Sequence, residues 1–317
     1  MNAPRPGRPP ARTRPPTASF VLVELPRLAA RGEPVDADAI ERAFFAGLKL
    51  RNGTRKTVTA RRLDDLNAEL IGALRRTAST PRDVIDVAAS SGVSTAEWAA
   101  ALQEAGFRPR VVASDLVMTA FFVSPRRRVR VLVDATDDPL AFEAGGRHLN
   151  ARVAKTDLLN GRWALVLGAR WLYRWWSRRE GLRERLRADS AGPDAPLVTR
   201  TRLTGWRIAA HPDIECIDDD IAADNPPHLR RRFDVVRAAN ILNLIYFAPA
   251  ALEPMVRNLA LRLRGPGAWL VVCRTVPDGT NQGTIFRLTD RGSFSAVARV
   301  GRGSEIEDLV LACRITV

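Results

Sequence analysis

Residues 82–95, Arg-Asp-Val-Ile-Asp-Val-Ala-Ala-Ser-Ser-Gly-Val-Ser-Thr, constrain this chain more than any other stretch. Val84, Ile85 and Val87 form a short apolar run bounded by turn-formers, the pattern of a strand covered on both faces. Ala88, Ala89, Ser90, Ser91 and Gly92 follow with almost no side chain. A ligand's polar groups can therefore approach the backbone and the N–H groups that open the next helix. Thr95 lies in that helix, whose apolar side carries Trp98, Ala101, Leu102 and Ala105. Asp115 ends the next strand, Val111–Asp115, 23 residues past Gly92. That is close to the spacing at which an acidic side chain meets a ribose hydroxyl.

Three readings of this turn stand side by side. A dinucleotide fingerprint needs G-x-G-x-x-G, so that a pyrophosphate can lie against bare backbone, and this turn holds one glycine. A plain strand–turn–helix connection accounts for the same residues. The third reading is a resemblance. Asp86-Val-Ala-Ala-Ser-Ser-Gly92 resembles motif I of class I AdoMet-dependent methyltransferases, with Ala88 and Ser90 where glycine is commoner. Ser90-Ser91-Gly92 looks like the loop of the chemotaxis-receptor methyltransferase branch.

A later segment adds to the resemblance. Phe233-Asp-Val-Val-Arg-Ala-Ala-Asn-Ile-Leu-Asn-Leu-Ile-Tyr-Phe247 is similar to the chemotaxis-receptor pattern F-D-x-I-x-x-R-N-V-L-I-Y-F, with a two-residue excess. Asn240 and Tyr246 match best. Leu263-Arg-Gly-Pro-Gly-Ala-Trp-Leu-Val-Val-Cys273 resembles the family's passage from helix through L-x-P-G-G to the fifth strand. Thr284–Thr289 and Leu309–Val317 read as the last two strands, an antiparallel closing pair. Residues 60–115 and 213–317 carry the likeness.

The expected architecture is α/β: a seven-stranded, doubly wound, mostly parallel sheet with an antiparallel closing strand and a large insertion after the second core strand. Residues 1–18 read as a disordered basic tail and 19–80 as an N-terminal helical cap. Residues 81–115 and 213–317 form the Rossmann-like core, and 116–212 the insertion.

The charge is unevenly placed. The chain carries a formal net charge of +14 over 317 residues. Residues 1–62 contribute +8, the insertion's 116–212 contribute +9, and the remainder −3. The basic character belongs to the additions, which favours an anionic surface or substrate near them. An arginine-rich composition with solvated faces explains it equally well. Cys216, Cys273 and Cys313 are isolated in apolar runs and read as buried thiols in a reducing compartment. With three histidines and no paired cysteines, no metal site is expected. No apolar run reaches membrane-spanning length, and residues 1–18 lack an apolar signal core, so a cytoplasmic chain is expected.

Within the insertion, Arg126–Asp134 alternates as a strand, and Leu140–Phe142 pairs with it across the turn signal Asp137-Asp138-Pro139. Asp157–Arg187 then reads as helical, with Trp163, Trp171, Trp175 and Trp176 among Arg170, Arg174, Arg178 and Arg179. Three uses fit such a helix: a packed lid or pocket wall, a segment lying on an anionic membrane surface, or a base-stacking surface. Nucleic acid ranks last, because no RNA-binding motif accompanies the helix. The membrane use would put the protein at the periphery of a bilayer.

The resemblance implies an AdoMet-dependent methyltransferase. Ala88, Ser90, Ser91 and Gly92 would approach the methionine part of the cofactor. Asp86 would orient the loop or bind the amino group, and Asp115 would accept from the ribose hydroxyls. Asp219 or Asp220 would receive the adenine N–H, and Asn240 would sit beside the cofactor. Asn243, Tyr246 and Trp163 are substrate-pocket candidates, with His148 a further pocket residue. No catalytic base is assigned. The alternative is a non-catalytic AdoMet- or nucleotide-binding module whose basic, Trp-rich insertion binds a partner or a membrane surface.

Overall fold

A computed structural model of the chain describes residues 16–48, 56, 60–153, 157, 161–187, 198–223 and 225–316. Seven strands form the main sheet: β1 (Asp83–Val87), β2 (Arg110–Asp115), β8 (Ile214–Asp218), β9 (Val235–Ala239), β10 (Trp269–Thr275), β11 (Asn281–Leu288) and β12 (Phe294–Val300). Their order is β12-β11-β10-β9-β1-β2-β8. β1, β2, β8, β9 and β10 run parallel to one another, while β11 and β12 close the sheet beyond β10 as an antiparallel meander.

The pleat explains why helices cover both faces. Successive strand residues point to opposite sides. Val84, Val111, Val235 and Trp269 meet Leu66, Leu70 and Leu74 of α3 (Asp64–Arg76) and Trp98 and Leu102 of α4 (Val93–Glu104). Ile85, Val112, Val236 and Leu270 meet Leu252, Val256 and Leu259 of α8 (Pro249–Arg262) and Val310 of α9 (Glu307–Ala312). The sheet is doubly wound, as the apolar runs require. α8 runs unbroken through Pro254.

The insertion builds a second sheet. β3 (Thr119–Arg126), β4 (Val129–Asp134), β5 (Pro139–Ala144), β6 (Arg147–Asn150) and β7 (Val198–Arg202) pair antiparallel in the order β6-β5-β4-β3-β7. Ala120, Phe122, Leu132 and Leu140 bury one face against Leu25 of α1 (Leu25–Ala30) and Phe44 and Phe45 of α2 (Ala37–Gly47). Phe121, Val123, Val131 and Phe142 bury the other against Tyr173 of α5 (Arg162–Arg179) and Leu182 and Leu186 of α6 (Leu182–Arg187). The short α7 (Trp206–Ala209) leads back to the main sheet.

Three expectations are corrected. Leu309–Val317 is not a strand: Glu307–Ala312 is helical, and the closing strand is Phe294–Val300. The alternation Phe294, Ala296, Ala298, Val300 carried the strand signal, whereas Leu309-Val310-Leu311 is an apolar run too short to distinguish helix from strand. The helices between 19 and 80 do not form one cap, because α1 and α2 serve the inserted sheet and α3 serves the main sheet. Ala18, the last residue of the expected tail, is fully buried in the core of the inserted sheet. Residues 1–15 and the expected loop at 188–196 lie outside the described residues.

Candidate functional site

The C-terminal ends of β1, β2 and β9 open into a cleft of about 740 Å³. Open parallel sheets bind ligands at this edge, outside the carboxyl ends of their strands. Asp86, Ala88, Ser90, Ser91, Asp115, Asp219, Asp220, Asn240 and Tyr246 all border it, so residues far apart in sequence share one wall.

The loop after β1 takes the backbone shape that glycine favours without having the glycines. Ala88, Ser90 and Gly92 have φ of 54°, 61° and 85°. The left-handed region costs a residue with a Cβ roughly 1–2 kcal/mol, so something must hold the loop there. Ala89 N–H donates to the Ser114 carbonyl at 2.9 Å and Ser90 N–H to Asp115 Oδ2 at 2.7 Å. The Ser90 carbonyl accepts from Lys56 Nζ at 2.8 Å, and the Ser91 carbonyl from Gly205 N–H at 2.7 Å. Gly92 turns away from the cleft. A Cβ there would collide with Ile208 of α7, so its glycine serves helix packing as well as the turn.

Asp115 faces the cleft but is partly engaged. Besides Ser90 N–H on Oδ2, Lys56 Nζ lies 3.4 Å from Oδ1. A carboxylate offers about four lone-pair directions, so Oδ2 retains room for another donor. Lys56 is fully buried, and burial lowers its pKa while the Asp115 charge opposes that shift.

Two of the expected ligand carboxylates are spent on buried arginines. The register sets Asp86 of β1 beside Arg237 of β9. Arg237 Nε donates to Asp86 Oδ1 at 2.9 Å and Nη2 to Oδ2 at 2.7 Å, while Thr95 Oγ1 donates to Oδ2 at 2.5 Å. Arg237 also reaches Asn67 Oδ1 and the Ser94 carbonyl and stacks on Trp98, 4.3 Å from the ring centroid. Asp219 is similarly bound: Arg262 Nη1 donates to Oδ2 at 2.6 Å, Nη2 to Oδ1 at 2.9 Å, and Ser114 Oγ adds a third bond. Such bidentate pairs satisfy a carboxylate in a site that excludes water. Asp86 is therefore taken up by Arg237 and Thr95, and the acidic group left beside Asp219 is the exposed Asp220.

Asn240 joins strand ends, with Oδ1 accepting from Thr275 N–H at 2.7 Å and its own N–H donating to the Cys273 carbonyl. Asn243 is corrected from pocket residue to turn staple. It is buried outside the cleft, and its Oδ1 accepts from Ile245 and Tyr246 N–H, both at 3.1 Å. Trp163 and His148 are also absent from this cleft, because the insertion carries them elsewhere. Tyr246 and Phe247 form its outer lip, beside the exposed Leu244 and Ile245.

Four side chains that border the cleft or hold its carboxylates carry no assignment from the sequence: Lys56, Arg62, Arg237 and Arg262. Arg237 left a signal, since a charge inside the run Val235-Val236-Arg237-Ala238 requires a buried partner, and Asp86 sits in an equivalent run. Arg62 left none. It borders the cleft, and its buried Nε has no hydrogen-bond partner among the described residues. The buried Ser91 Oγ has none there either. Unpaired buried donors are costly, and these two mark where ligand oxygens would be welcome. Among the described residues no group of three His, Cys, Asp or Glu is placed to hold a metal ion.

No protein-family model and no curated protein matches the chain. Among solved structures it is similar to CalS10, an amino pentose methyltransferase from Micromonospora echinaspora, at 12% identity over 78% of this chain and 80% of that one, with a TM-score of 0.33. It is similar to N-methyltransferase NodS from Bradyrhizobium japonicum WM9, solved with S-adenosyl-L-homocysteine, at 12% identity over 68% and 62%, with a TM-score of 0.29. It is also similar to the CMeT domain of the citrinin polyketide synthase, at 13% identity over 67% and 34%, with a TM-score of 0.32. The chain thus spans about a third of that last structure and under two thirds of NodS. Likeness at this level carries no argument about activity; the fold stands on its own strand order and register.

Proposed function

We propose that this chain is an AdoMet-dependent methyltransferase. One observation carries the reading: the Ser90 backbone and the Asp115 carboxylate meet at the ends of β1 and β2 and border one cleft of about 740 Å³. That volume falls within the usual range for a cofactor-sized ligand.

The residues present suit the group. Arg62 would bind the carboxylate of its methionine portion, since a guanidinium matches a carboxylate in two places. Ser91 Oγ and the loop backbone would border the same end. Asp115 would accept one ribose hydroxyl at the open side of Oδ2, and the other at Oδ1, in place of the long Lys56 contact. Asp220 would receive the adenine N–H, with Leu116, Ile221 and Met255 as apolar walls. The cofactor supplies a methyl group already activated by its sulfonium charge. This chain's residues would align the acceptor and keep water out. Tyr246 and Phe247 stand where an acceptor would enter. The correspondence of Asn240 and Tyr246 with the chemotaxis-receptor branch rests on the sequence resemblance alone.

A second reading is a module that binds the nucleoside without transferring its methyl group. Ala88 and Ser90 stand in left-handed positions where glycine is commoner, and Lys56 is already seated against Asp115. Incubation with methyl-labelled AdoMet and lipid, RNA and protein fractions separates the two. Label in any fraction supports the enzyme, whereas cofactor binding without transfer supports the module.

A further inference from the structure

A second cleft, of about 660 Å³, lies between α5 and the inserted sheet. It is independent of the site at the ends of β1 and β2. Val131, Phe142, Leu165, Leu172 and Trp176 make its walls apolar, while Arg126, Arg147 and Arg162 border it. The carboxylate at its edge, Glu143, is occupied by Ser19, whose N–H and Oγ donate to it at 2.7 and 2.6 Å. Three arginines against this one carboxylate give the polar rim a net positive charge. His148 borders the same cleft, and its buried Nδ1 has no hydrogen-bond partner among the described residues.

The outer face of α5 is equally unusual. Trp163, Leu167, Trp171 and Trp175 recur every fourth residue and form one ridge, exposed by 44%, 50%, 67% and 55%. On its inner side the helix packs Tyr173 and Trp176 against the inserted sheet and adds polar contacts. Tyr173 and Ser177 donate to Asp137, and Arg170 Nη2 donates to Asp138 at 3.0 Å. No acidic residue occurs between 162 and 179, and of the five arginines there Arg170 turns inward to Asp138 while Arg162, Arg174, Arg178 and Arg179 are exposed. A second copy of the chain docking through this face would set arginine against arginine. A surface that accepts tryptophan at the headgroup level and supplies negative charge is complementary on both counts.

We propose that the insertion is a lipid-binding module: the α5 ridge lies in the interface of an anionic bilayer, and the cleft beneath it takes one acyl chain of an anionic phospholipid. The apolar walls receive the chain. Arg126, Arg147 and Arg162 face the phosphate, with His148 Nδ1 left for a polar group at the head end.

The test is flotation of the full chain with vesicles of equimolar phosphatidylglycerol and phosphatidylcholine, against phosphatidylcholine alone. Tryptophan emission is read in parallel, and circular dichroism checks that each variant is folded. Binding is expected on the anionic vesicles only, with a blue-shifted emission. Trp171→Glu tests the ridge, and the pair Leu165→Glu and Leu172→Glu tests the cleft. Each should weaken partitioning by roughly tenfold or more, the factor expected from one large apolar side chain losing its burial. No flotation, or equal flotation on neutral vesicles, overturns the proposal. Binding that ignores the two leucine changes overturns the acyl-chain site. Capture of a free long-chain carboxylate or self-association, without vesicle binding, overturns the bilayer as its source.

Discussion

Replacing Arg237 by Met should bring the chain close to unfolding. The guanidinium makes two bonds to Asp86, one to Asn67 and one to the Ser94 carbonyl, and both members of the pair are buried. Without it, Asp86 keeps Thr95 Oγ1 and only the neighbouring charge of Arg62. Stranding one partner of a buried pair costs about 3–5 kcal/mol, against a total stability of about 5–15 kcal/mol for a typical domain. Removing both charges together is different. Asp86→Leu with Arg237→Met leaves no uncompensated charge, and such replacements are near neutral when they pack. Urea unfolding of the wild type, both single variants and the double variant should give a coupling of about 3 kcal/mol. A single variant within about 1 kcal/mol of wild type, or a double variant equal to the sum of its parts, would refute the clamp. The double variant also separates roles. If Asp86 serves only to pair with Arg237, AdoMet affinity should survive in the double variant; its loss from a stable protein would return Asp86 to the ligand set.

Three further outcomes are expected. Ala88→Gly relieves a left-handed residue and should be neutral to stabilising by up to about 1 kcal/mol in thermal unfolding; a clear destabilisation would show that the loop has another conformation. Glu41 is buried with Oε2 accepting from Trp206 N–H, and burial raises its pKa from 4.5 to about 7. The native state then holds a proton that the unfolded chain has released, so stability present below pH 4.5 is lost as pH rises through about 7, by up to about 3 kcal/mol. Urea midpoints should decline across that window in wild type and stay flatter in Glu41→Gln; parallel profiles would refute the assignment. Arg62→Ala should weaken AdoMet binding roughly tenfold or more in calorimetry, as the loss of a charged hydrogen bond does. It should leave the unfolding midpoint nearly unchanged.

The reach of the sequence depended on whether a signal was local. The strand–turn–helix unit around Ser90 and the strand ending at Asp115 declare themselves through apolar periodicity over a few residues. Ion pairs do not, because Asp86 and Arg237 are 151 residues apart and only sheet register brings them together. Nothing local in the triplet Asp218-Asp219-Asp220 tells which carboxylate faces inward. Yet the strand ends at Asp218, and the next residue turns inward to Arg262. Edge strands were equally silent: β6 (Arg-His-Leu-Asn) and β7 (Val-Thr-Arg-Thr-Arg) are mostly polar because solvent meets one side. Lys56 stands among residues with no periodicity, and its contact with Asp115 is purely tertiary.

Isothermal calorimetry with AdoMet and with S-adenosylhomocysteine, on wild type and on Asp115→Asn, tests the central claim most directly. The account predicts saturable one-site binding of both compounds by the wild type, and a loss of roughly tenfold to hundredfold in the variant as its ribose contacts weaken. No heat of binding from either compound, or equal affinity in the two proteins, would contradict it.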